Sequence, residues 1–196
     1  MPTLSEEILS RAEALPEGEP IFAKQLLGLG SRYAVDQALS RLTRRGALLR
    51  VGRGIYVRPL ETRFGKRPPA TDRLVEAIAE ARGETVASHG AAAANALGLT
   101  TQVPMRSVYL TSGPSRTLEV GKLKVELRHA PAWQLTLARE PAGEVIRALA
   151  WLGPERSETL VTKLKHVLPR TAIDAVQKVS MRLPSWVAQR ASELAA

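Results

Sequence analysis

The chain has 196 residues, with 28 Lys and Arg against 19 Asp and Glu, a net charge of +9 and a sequence pI near 10.5. A hydrophobic fraction of 44% is enough for a packed core and argues against disorder, and the absence of cysteine excludes disulfides and thiolate metal sites. The three histidines lie far apart, and neither a leader pattern nor a long apolar run is present, so a cytoplasmic protein without metal, cofactor or membrane contact is expected.

The first part runs from about residue 1 to 60. Thr3 or Ser5 caps a helix whose apolar residues Leu4, Ile8, Leu9, Ala12 and Leu15 follow the 3.6-residue period. Pro16-Glu17-Gly18 ends it. Ile21 and Phe22 lead into a short second helix, Ala23 to Leu27, which stops at Gly28-Leu29-Gly30. A third helix begins at Ser31 and ends at Gly46. One face of it carries Val35, Ala38, Leu39 and Leu42 and should pack on the first two helices. The other carries Tyr33, Gln37, Ser40, Arg41 and Arg44, with Asp36 at its edge. Two β-prone runs follow, with Leu49, Val51, Ile55 and Val57 around Gly52-Arg53-Gly54. The two glycines permit a tight turn with Arg53 at its tip. A phosphate-cradling glycine loop is a weak alternative, because no dinucleotide fingerprint and no GKS or GKT ending is present.

A helix running straight into an arginine-tipped hairpin is the layout of a winged helix-turn-helix. In that layout the helix enters a DNA major groove and the hairpin touches the flanking backbone. Charge placement agrees. Between Arg41 and Arg67 the basic residues are Arg41, Arg44, Arg45, Arg50, Arg53, Arg58, Arg63, Lys66 and Arg67, and Glu61 is the only acid. The expected DNA-binding residues are Ser31, Arg32, Tyr33, Gln37, Ser40, Arg41, Arg44, Arg45, Arg50, Arg53 and Arg58. The long polar side chains of the helix suit base edges and phosphates, and those of the hairpin suit phosphates.

Residues 61–70 read as a basic linker ending in Pro68-Pro69, either an arm lying along DNA or a spacer. The remainder, 71–196, reads as a small α/β unit followed by helices. A helix runs from Thr71 or Asp72 to Ala81, and an alanine-rich one from Gly90 to Leu97. Strands are expected at 85–87, 107–111, 116–120 and 122–129, in a mostly antiparallel sheet. Helices follow at about 143–151, 157–167, 172–179 and 185–194. Trp133, Trp151 and Trp186 read as packing residues. The fold class is therefore α+β. No nucleophile, base and acid stand at a spacing that demands catalysis, so no enzymatic activity is expected.

Three stretches resemble the AbiEi-type antitoxins of type IV toxin–antitoxin systems. They are LLRVGRGIYVRP at 48–59, AAAANALGLTTQVP at 91–104, and VYLTSGPSR at 108–116 with the strand GKLKVEL after it. The resemblance spans roughly residues 1–135. It implies that the N-terminal domain represses its own promoter by binding duplex DNA. It also implies that the C-terminal domain counteracts a nucleotidyltransferase-like toxin, acting on the toxin or on its RNA target. Two other classes stay open: a stand-alone regulator whose C-terminal domain senses a ligand or mediates assembly, and an enzyme acting on nucleic acid. Nothing in the sequence marks a dimer seam.

Overall fold

The computed structural model describes residues 2–102 and 105–196. Val103 and Pro104, which end the second of the three resembling stretches, and Met1 lie outside them. The protein is mixed α/β, with seven α-helices and three small sheets among the described residues. It divides into two compact units: residues 1–83 with 117–125, and residues 84–116 with 126–196.

In the first unit, α1 (Leu4–Ala14) starts in a capping box. The Thr3 side chain accepts from the Glu6 N–H, and the Glu6 carboxylate accepts from the Thr3 N–H. β1 (Pro20–Phe22) and one turn of 3₁₀ helix (Ala23–Leu26) follow, where the sequence pattern predicts a short helix alone. Then comes α2 (Arg32–Arg44), capped by Ser31, whose Oγ accepts from the Ala34 N–H at 3.3 Å. Val35, Ala38, Leu39 and Leu42 of α2 are buried with Ile8 and Ala12 of α1, Leu26, Leu48 and Tyr56. Burial of an aliphatic side chain of this kind is worth about 1.5–3 kcal/mol, far more than helix propensity contributes. The apolar face therefore decides how α2 is set, and its polar face follows.

β2 (Leu49–Gly52) and β3 (Ile55–Val57) form an antiparallel hairpin, and β1 pairs with the other edge of β3, Ile21 opposite Tyr56. The turn is Arg53-Gly54. Gly54 has φ +70°, a conformation that an L side chain rarely adopts, and its carbonyl accepts from the Ala23 N–H at 2.9 Å. A second hairpin, β4 (Leu60–Thr62) and β5 (Gly65–Arg67), occupies the segment that composition alone presents as an extended linker. α3 (Thr71–Ala81) follows and buries Leu74, Val75, Ile78 and Ala79.

The remaining strands are β6 (Val86–Ser88), β7 (Ser107–Thr111), β8 (Arg116–Val120) and β9 (Leu123–His129), in spatial order β6-β7-β9-β8. β6 and β7 are antiparallel, Ala87 opposite Leu110. The outer end of the β8–β9 hairpin, residues 117–125, belongs to the first unit.

The second unit is mainly helical: α4 (Gly90–Ala96), α5 (Pro141–Val167), α6 (Arg170–Lys178) and α7 (Ser185–Ala195). The two helices expected near 143–151 and 157–167 are both present within α5, separated at Gly153, which leaves the helical region at φ +76°, ψ 172°. Pro154 is the cause. It has no N–H to donate and disfavours helical geometry at the residue before it. The core joins Ala93, Val145, Ile146, Leu149, Leu164, Ile173, Val187 and Leu194, with Trp133, Trp151 and Trp186 packed against it.

Candidate nucleic-acid interface

The polar face of α2 and the β2–β3 hairpin enclose a cleft of about 330 Å³. It is lined by Arg32, Asp36, Ser40, Thr43 and Arg44 from the helix and by Arg50, Arg53, Gly54 and Tyr56 from the hairpin. The local fold explains why. Helix residues 32, 36, 40, 43 and 44 share a face that flanks the one buried against α1. The hairpin turns back directly after α2, so Arg50 and Arg53 arrive at the same face.

Charge in the cleft is lopsided. Arg32 Nε donates to Asp36 Oδ2 at 2.8 Å in an exposed i,i+4 pair, which occupies the only acid there. Arg44 donates to Ser40 Oγ at 3.2 Å, and Arg50 Nε lies 3.5 Å from the Gly52 carbonyl oxygen. Arg44, Arg50 and Arg53 are exposed, so the cleft presents cations to solvent without spending them on internal carboxylates.

Of the residues expected from sequence, the cleft gathers Arg32, Ser40, Arg44, Arg50 and Arg53. Tyr33, Gln37 and Arg41 are exposed on α2 outside the cleft wall, Tyr33 at 74%. Ser31 is the helix cap and Arg45 the residue that closes the helix, its N–H bonded to the Arg41 carbonyl at 3.1 Å. Arg58 does not join them. It lines a different cavity, of about 490 Å³, with Leu9, Glu13, Ala47, Pro59, Leu60, Glu61 and Lys66.

Two contributions escape sequence reasoning. Tyr56 and Thr43 help to form the cleft wall, although the sequence shows them only as a β-prone and a helical residue. Thr117 and Glu119 of β8 join Arg50, Val51, Gly52 and Arg53 around a further cavity of about 270 Å³. Behind the turn, Leu118 lies so that a Cβ on Gly52 would meet it at 3.4 Å. No local signal announces a contact across more than sixty positions.

Two of the three histidines take structural places, and His166 is exposed. His89 Nδ1 accepts from the Ala91 N–H at 3.2 Å and caps α4, and burial with the nearby Arg128 charge pushes its imidazole below the ordinary range. His129 Nδ1 lies 3.0 Å from the Gly113 carbonyl oxygen. Among the described residues no three His, Cys, Asp or Glu side chains converge as a metal site would require, and no helix is long and apolar enough to cross a membrane.

The fold and the cleft define a two-unit α/β protein with a cationic helix-and-hairpin surface. The chain belongs to DUF6088, a family of unknown function, whose model matches residues 7–176. No curated protein matches the chain. Among solved structures it is similar to the crystal structure of the RV2827C protein from Mycobacterium tuberculosis. The TM-score is 0.51 at 17% identity, over 100% of this chain and 77% of that one. At that identity the likeness speaks to the fold.

Proposed function

We propose that the first unit is a winged helix-turn-helix that binds duplex DNA, with α2 in the major groove and the β2–β3 hairpin on the flanking backbone. The observation that carries this reading is the shared cleft: Arg32 and Arg44 from the helix and Arg50 and Arg53 from the hairpin line one concave surface. Cations held apart on two adjacent elements match phosphates spaced along a groove, and the exposed Gln37 and Arg41 can reach base edges. If four phosphates are neutralised, affinity falls on the order of a hundredfold between about 50 and 200 mM salt.

The biological role follows from the resemblance to AbiEi-type antitoxins. The protein represses its own promoter through the first unit and counteracts a nucleotidyltransferase-like toxin through the second. The resemblance alone supports the antitoxin half, and its test is direct. DNA upstream of this reading frame should be protected by the full chain in a footprint, the neighbouring gene should encode a nucleotidyltransferase-like protein, and co-expression of the chain should restore growth to cells making that protein. A protected promoter with no rescue would leave a plain regulator. Rescue without protection would remove the DNA-binding reading.

A further inference from the structure

The β4–β5 hairpin is a two-stranded sheet of its own. Its strands are three residues each, and all of β5 is exposed. A hairpin that small is marginal in water unless something fixes it. Two features do. At the turn, Thr62 Oγ1 donates to the Gly65 carbonyl at 2.8 Å and accepts from the Phe64 N–H at 3.2 Å. At the base, Lys66 Nζ donates to the Gly46 carbonyl at 3.2 Å, in the turn directly after α2, and stands 3.7 Å from Glu61. The hairpin is thereby tied to the C-terminal end of α2, where Arg44 and Arg45 sit.

What this organised turn displays is unusual for a surface. Phe64 is 86% exposed, and the Arg63 guanidinium lies 4.7 Å from its ring centroid. Lys66 and Arg67 follow, and Glu61 is the hairpin's only acid. An aromatic ring left in water contributes nothing to the core. Held on a preorganised turn among three cations, it meets the demands of a nucleic-acid groove: phosphates along the sides and stacked bases at the floor. Preorganisation lowers the ordering cost of binding.

We propose that the β4–β5 hairpin is a second DNA-contacting element, one that enters the minor groove beside the site read by α2 and wedges Phe64 against a base step. This rests on the DNA-binding reading above. The narrow minor groove takes arginine and an apolar wedge rather than a whole element, and such wedges kink the duplex toward the major groove. Lys66 and Arg67 then lie along the phosphates. On binding, Arg63 exchanges the Phe64 ring for the groove, and a base takes its place on the ring.

The test uses the full chain and a short duplex containing a central TA step, labelled at both ends for energy transfer. Wild-type protein is expected to bend the duplex, and Phe64→Ala to abolish the bend while weakening binding about tenfold. Phe64→Trp should keep the bend, and its added fluorescence should be quenched by the duplex. Arg67→Ala, which leaves the Lys66 tie to the Gly46 carbonyl in place, should lower the salt dependence by about one phosphate contact. Thermal melts close to wild type are expected throughout, because every substituted side chain is exposed. If wild type binds and Phe64→Ala binds and bends equally well, the wedge is overturned and the α2 site stands. Quenching of the Phe64→Trp variant by a single strand and not by the duplex also overturns it. If wild type binds no duplex at all, the α2 reading falls and this one with it.

Discussion

The first unit holds sixteen Lys and Arg against eleven Asp and Glu, the second twelve against eight, so their net charges are nearly equal. They use those charges in opposite ways. In the second unit three arginines are turned inward or tied down, while Arg139, Lys178 and Arg182 are exposed. Arg116 and Glu84 form a pair only 16% and 11% exposed, with Thr111 donating to the same carboxylate. Arg190 bridges Glu193 and Glu158. Arg147 is 2% exposed and donates to Ser88 Oγ, and desolvation holds its guanidinium below the ordinary range. In the first unit the ion pairs Arg11–Glu7, Arg32–Asp36 and Lys66–Glu61 all lie in solvent, and none of them involves Arg44, Arg50 or Arg53. Net charge therefore says little about where a polyanion would bind. What matters is whether a cation already has a partner, because an exposed arginine outside any ion pair has lost no solvation and keeps its full capacity for phosphate.

Breaking the contrast from the second unit should give the largest effect. Glu84→Ala leaves the Arg116 guanidinium largely buried without its carboxylate, and a stability loss of about 3 kcal/mol is expected in chemical denaturation. Gly113→Ala should act in the same direction, because a Cβ there collides with the Glu84 carboxyl. In the first unit the opposite pattern should hold. Arg50→Ala with Arg53→Ala should move stability by less than about 0.5 kcal/mol, since both side chains are exposed. The same double variant should lose promoter repression in a reporter assay and still rescue cells from the toxin. Loss of both activities in a folded variant would refute separate surfaces.

A finer effect separates reading from holding. Gln37→Ala or Arg41→Ala should cost about 1–3 kcal/mol of discrimination between the promoter and unrelated DNA, measured by competition binding. If both leave the preference intact, α2 is not the reader. The smallest expected effect is a pH response in the second unit. The folded chain holds His89 below the ordinary imidazole range, so the unfolded chain takes up that proton first as pH falls. Its contribution is complete above about pH 6.5 and is lost as pH drops through the folded value. His89→Asn keeps an acceptor for the α4 cap and should flatten this part of the stability–pH curve.

The legible parts of the molecule were those fixed by neighbours in sequence. Ser31, the spacing of Val35, Ala38, Leu39 and Leu42, and Gly46 define α2 without help from the rest of the chain. Gly52 and Gly54 likewise announce the hairpin turn. What was hidden depends on distant partners. β1 is three residues long and begins with Pro20, and it exists as a strand because β3 pairs with it from thirty-odd residues away. The β4–β5 hairpin was masked by a basic composition and the Pro68-Pro69 pair, both of which describe a spacer equally well. The outer β8–β9 hairpin belongs to the first unit although thirty-three residues of the second lie between. A fragment ending near residue 60 would therefore lack Leu118 behind the hairpin turn, and the full chain is the right object for binding work.

The most direct test of the central claim is a salt titration of the full chain on duplex DNA from upstream of its own reading frame, beside the Arg50→Ala, Arg53→Ala double variant. Tight binding at low salt is expected, with a steep decline as salt rises and a slope shallower by about two phosphate contacts in the variant. Binding that ignores salt, or a double variant whose curve overlays that of wild type, would contradict that claim.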